Sequence, residues 1–369
     1  MRIGFDAKRY FLNKTGLGNY SRDLVRILEK YVPQNDYIKY TTKTGSYIID
    51  HPEIAQTTRL PEGFINTTWP NLWRNRRIVQ DLKKDQIDIF HGLSGEIPLG
   101  LAKTGIKSIV TIHDLIFMRH PELYHPIDRW IYKKKFRHAC EASDRIIAIS
   151  KQTKEDIIEF FNIHEGKIEV IYQGCHEAFK LEKTNEEKQI LKKKLDLPNQ
   201  FLLNVGTVEE RKNALSIVKA ITNIDIPLVI VGKSTKYSRQ LQDFVAQHQM
   251  KNRVYFLSGL NMQELSVLYA SALAFIYPSI YEGFGIPIIE ALYSGTPVIT
   301  TKSGVFPEAG GPSSLYVSPH DINEIQYAIE SVIFSTSLRN KMVADGLIYA
   351  QRFNDEYLAH QWETQYLAL

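Results

Sequence analysis

Short apolar runs rich in β-branched residues recur along the chain, and each is followed by a longer stretch with helical periodicity. In the first half the runs are Arg2–Asp6, Ile87–His91, Ser108–His113, Arg145–Ser150 and Lys167–Tyr172. In the second half they are Phe201–Gly206, Pro227–Gly232, Arg253–Ser258, Leu273–Ser279, Pro297–Thr301 and Ser314–Val317. A continuous run such as Leu273-Ala274-Phe275-Ile276-Tyr277 suits a strand buried on both faces, as in a parallel sheet with helices on either side. Strand–helix alternation of this kind predicts an α/β fold. It lapses between about Cys175 and Pro198, where Lys183 to Lys194 is rich in Lys and Glu; this interval reads as an interdomain connection leading into a surface helix. The final stretch, Asp355 to Leu369, carries Tyr357, Leu358, Trp362 and Tyr366 on an amphipathic helix that needs a surface to pack on.

At 369 residues the chain exceeds the size at which one hydrophobic core keeps growing, so two doubly wound domains are expected. Their expected bounds are 1–178 and 179–352, with 353–369 returning to the first. The composition, 44% hydrophobic and 23% charged, is that of an ordinary soluble globular protein. A net charge of +4 is too mild to suggest a nucleic-acid partner. Cys140 and Cys175 cannot form a disulfide framework. The chain opens directly on a strand, without the regions of a signal peptide, and no later stretch reaches about 18 apolar residues. A cytoplasmic location is the expectation.

Four places could carry chemistry. Thr15-Gly16-Leu17-Gly18-Asn19-Tyr20 lies between a strand and a helix expected to begin near Tyr20. Gly16 and Gly18 would let the backbone approach a ligand, and the helix start could face an anion. Ser21 stands where a dinucleotide fingerprint has its third glycine, so a plain turn and cap explains the segment equally well. His113 closes a strand, where ligands of doubly wound sheets bind, and could donate a hydrogen bond or polarise a reacting group. The plainer alternative is a ring tied to the neighbouring loop, and at His91, in a similar position, that alternative is preferred.

Arg211 and Lys212 follow the first strand of the second half, within Gly206-Thr207-Val208-Glu209-Glu210-Arg211-Lys212-Asn213. Two cations there could neutralise a diphosphate and stabilise it as a leaving group, Arg bidentately and Lys as a point charge. A solvated turn with Glu209 and Glu210 as partners is the alternative. The strongest signal is Glu282-x7-Glu290. Pro287 suits the first turn of a helix, whose amides from Phe284, Gly285 and Ile286 would face a phosphate. Glu282 precedes that helix and Glu290 lies inside it, so the two could bracket a diphosphate and accept bonds from sugar hydroxyls at either end. A surface helix would also tolerate two glutamates, but Glu290 lies in the apolar run Ile286–Leu292, where a carboxylate without partners is costly. No two aspartates stand at i and i+2, and neither His164-Glu165 nor His176-Glu177 has the second His of a zinc-protease helix. No metal ligand set and no cofactor are expected.

Glu282-Gly283-Phe284-Gly285-Ile286-Pro287-x-x-Glu290-Ala291-Leu292-x-x-Gly295-Thr296-Pro297-Val298-Ile299 resembles the signature of the retaining GT-B glycosyltransferase family 4. The resemblance extends to the Gly16-Leu17-Gly18 loop, Thr111-Ile112-His113-Asp114, Ala148-Ile149-Ser150, Val205-Gly206-Thr207 with Arg211-Lys212-Asn213, and Pro307-Glu308. It implies GT-B architecture, two Rossmann-like doubly wound domains facing each other across a cleft, with the nucleoside diphosphate sugar held mainly by the second. By position it implies Glu290 on the ribose, Glu282 on the transferred sugar, the amides of Phe284 to Ile286 on the distal phosphate, and Arg211 and Lys212 on the diphosphate. Gly16 and Gly18 would lie near the transferred sugar and acceptor, and His113 would line the reaction centre. Many members carry Arg where this chain has Thr207; the substitution also occurs in a subgroup rich in mannosyltransferases, which mildly favours GDP-mannose.

The implied reaction is metal-independent transfer of a hexose, with retention, to a hydroxyl of a glycan or lipid-linked acceptor in surface polysaccharide or glycoconjugate biosynthesis. Two alternatives keep parts of the picture: a sugar-nucleotide epimerase of the same architecture, and a non-catalytic sugar-nucleotide-binding or membrane-docking subunit. The last draws on Trp69 to Trp73 leading into Arg74, Arg76 and Arg77, and on Trp130 to Arg137 with Lys133, Lys134 and Lys135. Aromatic and basic stretches of this kind suit peripheral contact with the inner face of an anionic membrane, and equally a solvated helix face.

Overall fold

The computed structural model describes residues 1–13 and 15–369. The chain divides into two compact units, one formed by Met1–Gly174 with Asn354–Leu369 and the other by Cys175–Phe353. Each is built on a parallel sheet.

In the first unit seven strands lie in the order β3-β2-β1-β4-β5-β6-β7, namely β1 Arg2–Asp6, β2 Asp36–Tyr40, β3 Thr58–Arg59, β4 Ile89–Gly92, β5 Lys107–Ile112, β6 Arg145–Ala148 and β7 Ile168–Val170. The chain winds outward from β1 and then crosses to β4, so the winding reverses between β1 and β4. Strands β2 and β3 are absent from the sequence reading. Strand β2 is Asp-Tyr-Ile-Lys-Tyr, and its Lys39 is fully buried with its ammonium donating to Glu29 Oε1 at 2.6 Å and Thr57 Oγ1 at 3.0 Å. A satisfied buried lysine hides a strand from a search for apolar runs.

In the second unit six strands lie in the order β10-β9-β8-β11-β12-β13, namely β8 Leu202–Val205, β9 Leu228–Val231, β10 Val254–Leu257, β11 Ala274–Tyr277, β12 Val298–Thr301 and β13 Leu315–Val317. Here the winding reverses between β8 and β11. Every residue of β8, β9, β11 and β12 is buried, which accounts for their uninterrupted apolar sequences. The core on one face joins Leu202, Leu228, Ile230, Ile276 and Ile299 to the helices around them. Each such side chain contributes about 1.5–3 kcal/mol on leaving water.

The polar interval after Cys175 contains the helix Asn185–Lys194, started by a capping box between Thr184 and Glu187. The last helix, Asp355–Leu367, belongs to the first unit. Its Leu358, Trp362 and Tyr366 join the core formed with Leu24, Leu28 and Phe5, and Asp355 pairs with Arg26 at 2.9 Å. The helix expected near Tyr20 instead begins at Gly16 and runs to Tyr31. Asn13 moves the start forward: its Oδ1 accepts from Thr15 N and Thr15 Oγ1, both at 2.8 Å, and from Gly18 N at 3.2 Å.

Candidate active site

In doubly wound sheets ligands bind beyond the carboxyl ends of the strands where the winding reverses. In the second unit those ends belong to β8 and β11, and the chain leaves both in irregular backbone that carries charged side chains. After β8, Gly206 at φ +148° turns the chain away, and a short turn at Glu210–Lys212 presents Arg211 and Lys212. A Cβ on the neighbouring Gly232 would lie 1.8 Å from the Gly206 carbonyl oxygen, so the two loops pack backbone to backbone. After β11, Pro278 to Gly285 brings Glu282 alongside. Asn213 ties the two loops together, its amide donating to Pro278 O at 3.1 Å.

The result is a compact ionic cluster. Lys212 Nζ lies 2.5 Å from Glu282 Oε1, and Arg211 Nη1 lies 2.8 Å from Glu282 Oε2. Arg211 also bonds Glu209 Oε1 at 2.7 Å and the Tyr281 carbonyl at 2.5 Å. Tyr277, at the end of β11, is the pivot: its hydroxyl accepts from Lys212 at 2.6 Å and donates to Glu282 Oε1 at 3.0 Å. Burial works to raise the Glu282 pKa, but the charges of Lys212 and Arg211 outweigh it and hold the carboxyl at about 2. Burial also pushes the Lys212 ammonium below its usual range, against the pull of Glu282. At neutral pH the cluster is therefore one carboxylate shared by two cations. Glu209, paired with Arg211 from a half-exposed position, brings the four groups to formal neutrality.

Glu290 is separate from this cluster. It lies in the helix Ile286–Tyr293, which starts from Gly285 at φ +124° and has Pro287 in its first turn. Its carboxyl is buried and accepts from the Tyr269 hydroxyl at 3.0 Å. Burial pushes its pKa up to about 7, and the Tyr269 bond only partly opposes this. A row of rings joins the two carboxyls: Tyr269 and Phe275 at 5.1 Å, then Phe275 and Tyr277 at 5.5 Å. Phe284, between the glutamates in sequence, is buried edge-on to Phe353 at 5.7 Å. The structure thus joins Arg211, Lys212 and Glu282 directly, and sets Phe284, Gly285 and Ile286 at the start of the helix that carries Glu290.

The remaining candidates lie in the first unit. His113 follows β5, and both its ring nitrogens have protein partners. Nε2 donates to Leu93 O at 2.8 Å, since a carbonyl can only accept, and Nδ1 then accepts from Gln173 Nε2 at 3.0 Å. Burial lowers its pKa to about 4, so the ring is neutral and its tautomer fixed. His91 is similarly engaged, with Tyr366 Oη at 2.9 Å and Thr111 Oγ1 at 2.8 Å. Gly16 and Gly18 differ: a Cβ on Gly18 would meet the Asn13 carbonyl oxygen at 1.8 Å, whereas a Cβ on Gly16 would meet no atom of the described residues within 4 Å. Of these two glycines, Gly16 is the one with open space among the described residues.

Sequence reasoning passed over Tyr277, Tyr269 and a second buried network. In the latter, Arg74 bonds Asp6 at the end of β1 through Nε at 3.0 Å, and Glu96 beyond β4 through Nη1 at 2.7 Å. The two tyrosines had a signal: a tyrosine hydroxyl inside an otherwise apolar buried element demands a partner. Arg74, some seventy residues from Asp6, had none.

Two parallel-sheet units with charged loops at both reversal points define a GT-B fold, and the chain belongs to a glycosyltransferase family. Residues 16–179 match Glycosyltransferase Family 4 and residues 185–347 match Glycosyl transferases group 1. Among its relatives, the O-antigen chain mannosyltransferase B of Escherichia coli is 27% identical over 390 aligned positions, covering 100% of both chains. The O-antigen chain mannosyltransferase RfbU of Salmonella typhimurium is 29% identical, covering 86% of this chain and 87% of its own. In fold, the chain is similar to HepE of Anabaena, solved in complex with UDP and glucose, at a TM-score of 0.79 and 18% identity over 100% of both chains.

Proposed function

We propose that this glycosyltransferase takes mannose from GDP-mannose and transfers it, with retention, to a hydroxyl of a growing surface glycan. The observation that carries the proposal is the cluster of Arg211 and Lys212 closed on Glu282 at the β8/β11 reversal. A departing diphosphate gathers negative charge on its oxygens, and two preorganised, largely desolvated cations stabilise that charge without moving. Arg211 and Lys212 have this role, with the amides of Phe284, Gly285 and Ile286 at the helix start on the distal phosphate. Glu282 keeps the cations in place and turns to the hydroxyls of the transferred sugar. Glu290 accepts the ribose hydroxyls. The choice of mannose is supported by the names of the relatives, mannosyltransferases of O-antigen chains that match nearly end to end. His113 is held neutral by Leu93 and Gln173 and shapes the acceptor side rather than exchanging protons.

Thermal shift with the GDP, UDP and dTDP series of sugar nucleotides tests the donor, followed by incubation with GDP-mannose in the presence and absence of a mannan acceptor. The expected result is a shift for the guanosine series and an α-linked product formed only with acceptor. A shift confined to uridine or thymidine compounds contradicts the donor, and conversion of the donor to another sugar nucleotide without acceptor contradicts the transferase reaction.

A further inference from the structure

His91, in β4, is fully buried and has no part in the proposed transfer, yet it sits in the middle of a chain of hydrogen bonds. Its Nδ1 lies 2.9 Å from Tyr366 Oη on the last helix, and its Nε2 lies 2.8 Å from Thr111 Oγ1 in β5. Thr111 Oγ1 in turn lies 3.2 Å from Tyr20 Oη, one turn into the helix that opens at Gly16. The Tyr20 ring stands edge-on to His113, with 4.5 Å between centroids and 86° between planes. Phe5 and Trp362 pack against the His91 imidazole at 5.6 and 4.8 Å, which fixes the plane of that ring. The last helix is thereby joined, within the first unit, to the carboxyl end of β5.

Counting hydrogens gives this path a direction. Burial holds the His91 pKa at about 3, so the imidazole is neutral and carries one N–H. Tyr366, His91, Thr111 and Tyr20 bring four hydrogens to three bonds, and among the described residues these atoms have no other partner. One hydrogen is left over. It cannot be that of His91, because an oxygen faces each ring nitrogen. It therefore falls on Tyr366, Thr111 or Tyr20, which are 1%, 0% and 7% exposed. An unpaired hydroxyl is costliest where water is most fully excluded, which places the leftover on Tyr20. Tyr366 then donates to His91 Nδ1, His91 Nε2 donates to Thr111, and Thr111 donates to Tyr20.

We infer that Tyr366, His91 and Thr111 are positioning residues for the transfer: they lock the Tyr20 side chain, and through its ring the His113 imidazole, at the carboxyl end of β5. Leu93 and Gln173 hold the two nitrogens of His113, and Tyr20 packs at right angles against the ring. Without the Thr111 bond the Tyr20 oxygen is free to shift, and the ring contact shifts with it. Small displacements of groups beside reacting atoms are enough to slow a reaction. A residue 275 positions beyond His91 in sequence thus acts on the centre that His113 lines. The kinetic effect rests on the transferase reading; the direction of the hydrogen bonds does not.

Thr111 separates positioning from packing. Thr111→Val keeps the branched shape that suits a strand and removes the hydroxyl, whereas Thr111→Ser keeps the hydroxyl and removes the methyl group. In transfer from GDP-mannose to a mannan acceptor, Thr111→Val should lose about tenfold in kcat, with KM for the donor within about twofold of wild type. Thr111→Ser should stay within about threefold of the wild-type kcat, although it fills the site less well. Tyr366→Phe, at the far end of the path, should lose about fivefold in kcat with the same unchanged KM. Long-range nitrogen–proton spectra of the histidine-labelled wild type should show both His91 and His113 neutral and protonated at Nε2. A Thr111→Val variant as fast as the wild type, or faster than Thr111→Ser, would overturn the positioning role. A proton on His91 Nδ1 would overturn it as well, since the bonds would then run from Tyr20 to Tyr366. A wild type inactive with every sugar nucleotide would defeat the transferase reading and this role together, whereas an active wild type with an unaffected Thr111→Val defeats this role alone.

Discussion

Glu282 and Glu290 are eight positions apart and carry the same functional group, yet their surroundings drive them in opposite directions. Two cations hold Glu282 ionised at about 2, and burial beside a lone tyrosine hydroxyl leaves Glu290 at about 7. The consequence for Glu290 is a measurable pH dependence. Its folded pKa is raised above the ordinary 4.5, so the folded state retains a proton that the unfolded chain releases. Its contribution to stability is complete below pH 4.5 and is lost as pH rises through about 7, a change on the order of 3 kcal/mol. Without donor, Glu290→Gln should therefore raise the unfolding temperature at pH 8 and leave it nearly unchanged at pH 5. If ribose hydroxyls need the ionised carboxylate, donor affinity of the wild type should improve as pH rises from 6 to 8, and in the variant it should be flat. A pH-independent wild type would contradict both the buried carboxyl and its role.

At the level of elements, the central strands of both sheets were legible because each is covered on both faces and reads as an unbroken apolar run. Their ends were read too long, since residues such as Gly206 and Pro278 continue the apolar pattern after the ladder has stopped. Strand β2 was missed for the opposite reason, a lysine satisfied inside the sheet. The start of the helix Gly16–Tyr31 was misjudged because Asn13, three residues upstream, supplies the turn. That geometry separates the two glycines experimentally. Gly18→Ala places a methyl group on the Asn13 carbonyl and should cost about 1–3 kcal/mol of stability, read by denaturant unfolding. Gly16→Ala fills open space, so its stability should be near wild type, and any loss should appear in transfer rate alone. Equal stability of the two variants would show that the Asn13 contact is dispensable.

For the whole molecule, the order of strands mattered more than any single motif. Glu282 lies 70 residues beyond Lys212 in sequence, and it, Arg211 and Lys212 could each have been a solvated surface charge. Placing β8 next to β11 brings their loops together, and only then do the three form one electrostatic unit. The motif spacing exposed the glutamates; the hydroxyls of Tyr277, at the end of β11, and Tyr269 that organise them have no spacing signature and are marked only by their apolar surroundings. The Arg74 network at the other reversal point was invisible because 68 residues separate Arg74 from Asp6.

The central claim is that the Arg211–Lys212–Glu282 cluster receives the diphosphate of a sugar nucleotide. Titration calorimetry of GDP-mannose into the wild type and Lys212→Gln tests it most directly, because the substitution removes one charge and keeps a hydrogen-bonding side chain only one atom shorter. The account predicts at least about tenfold weaker binding, near 1.4 kcal/mol, with a cooperatively folded variant. Affinity indistinguishable from wild type would contradict it.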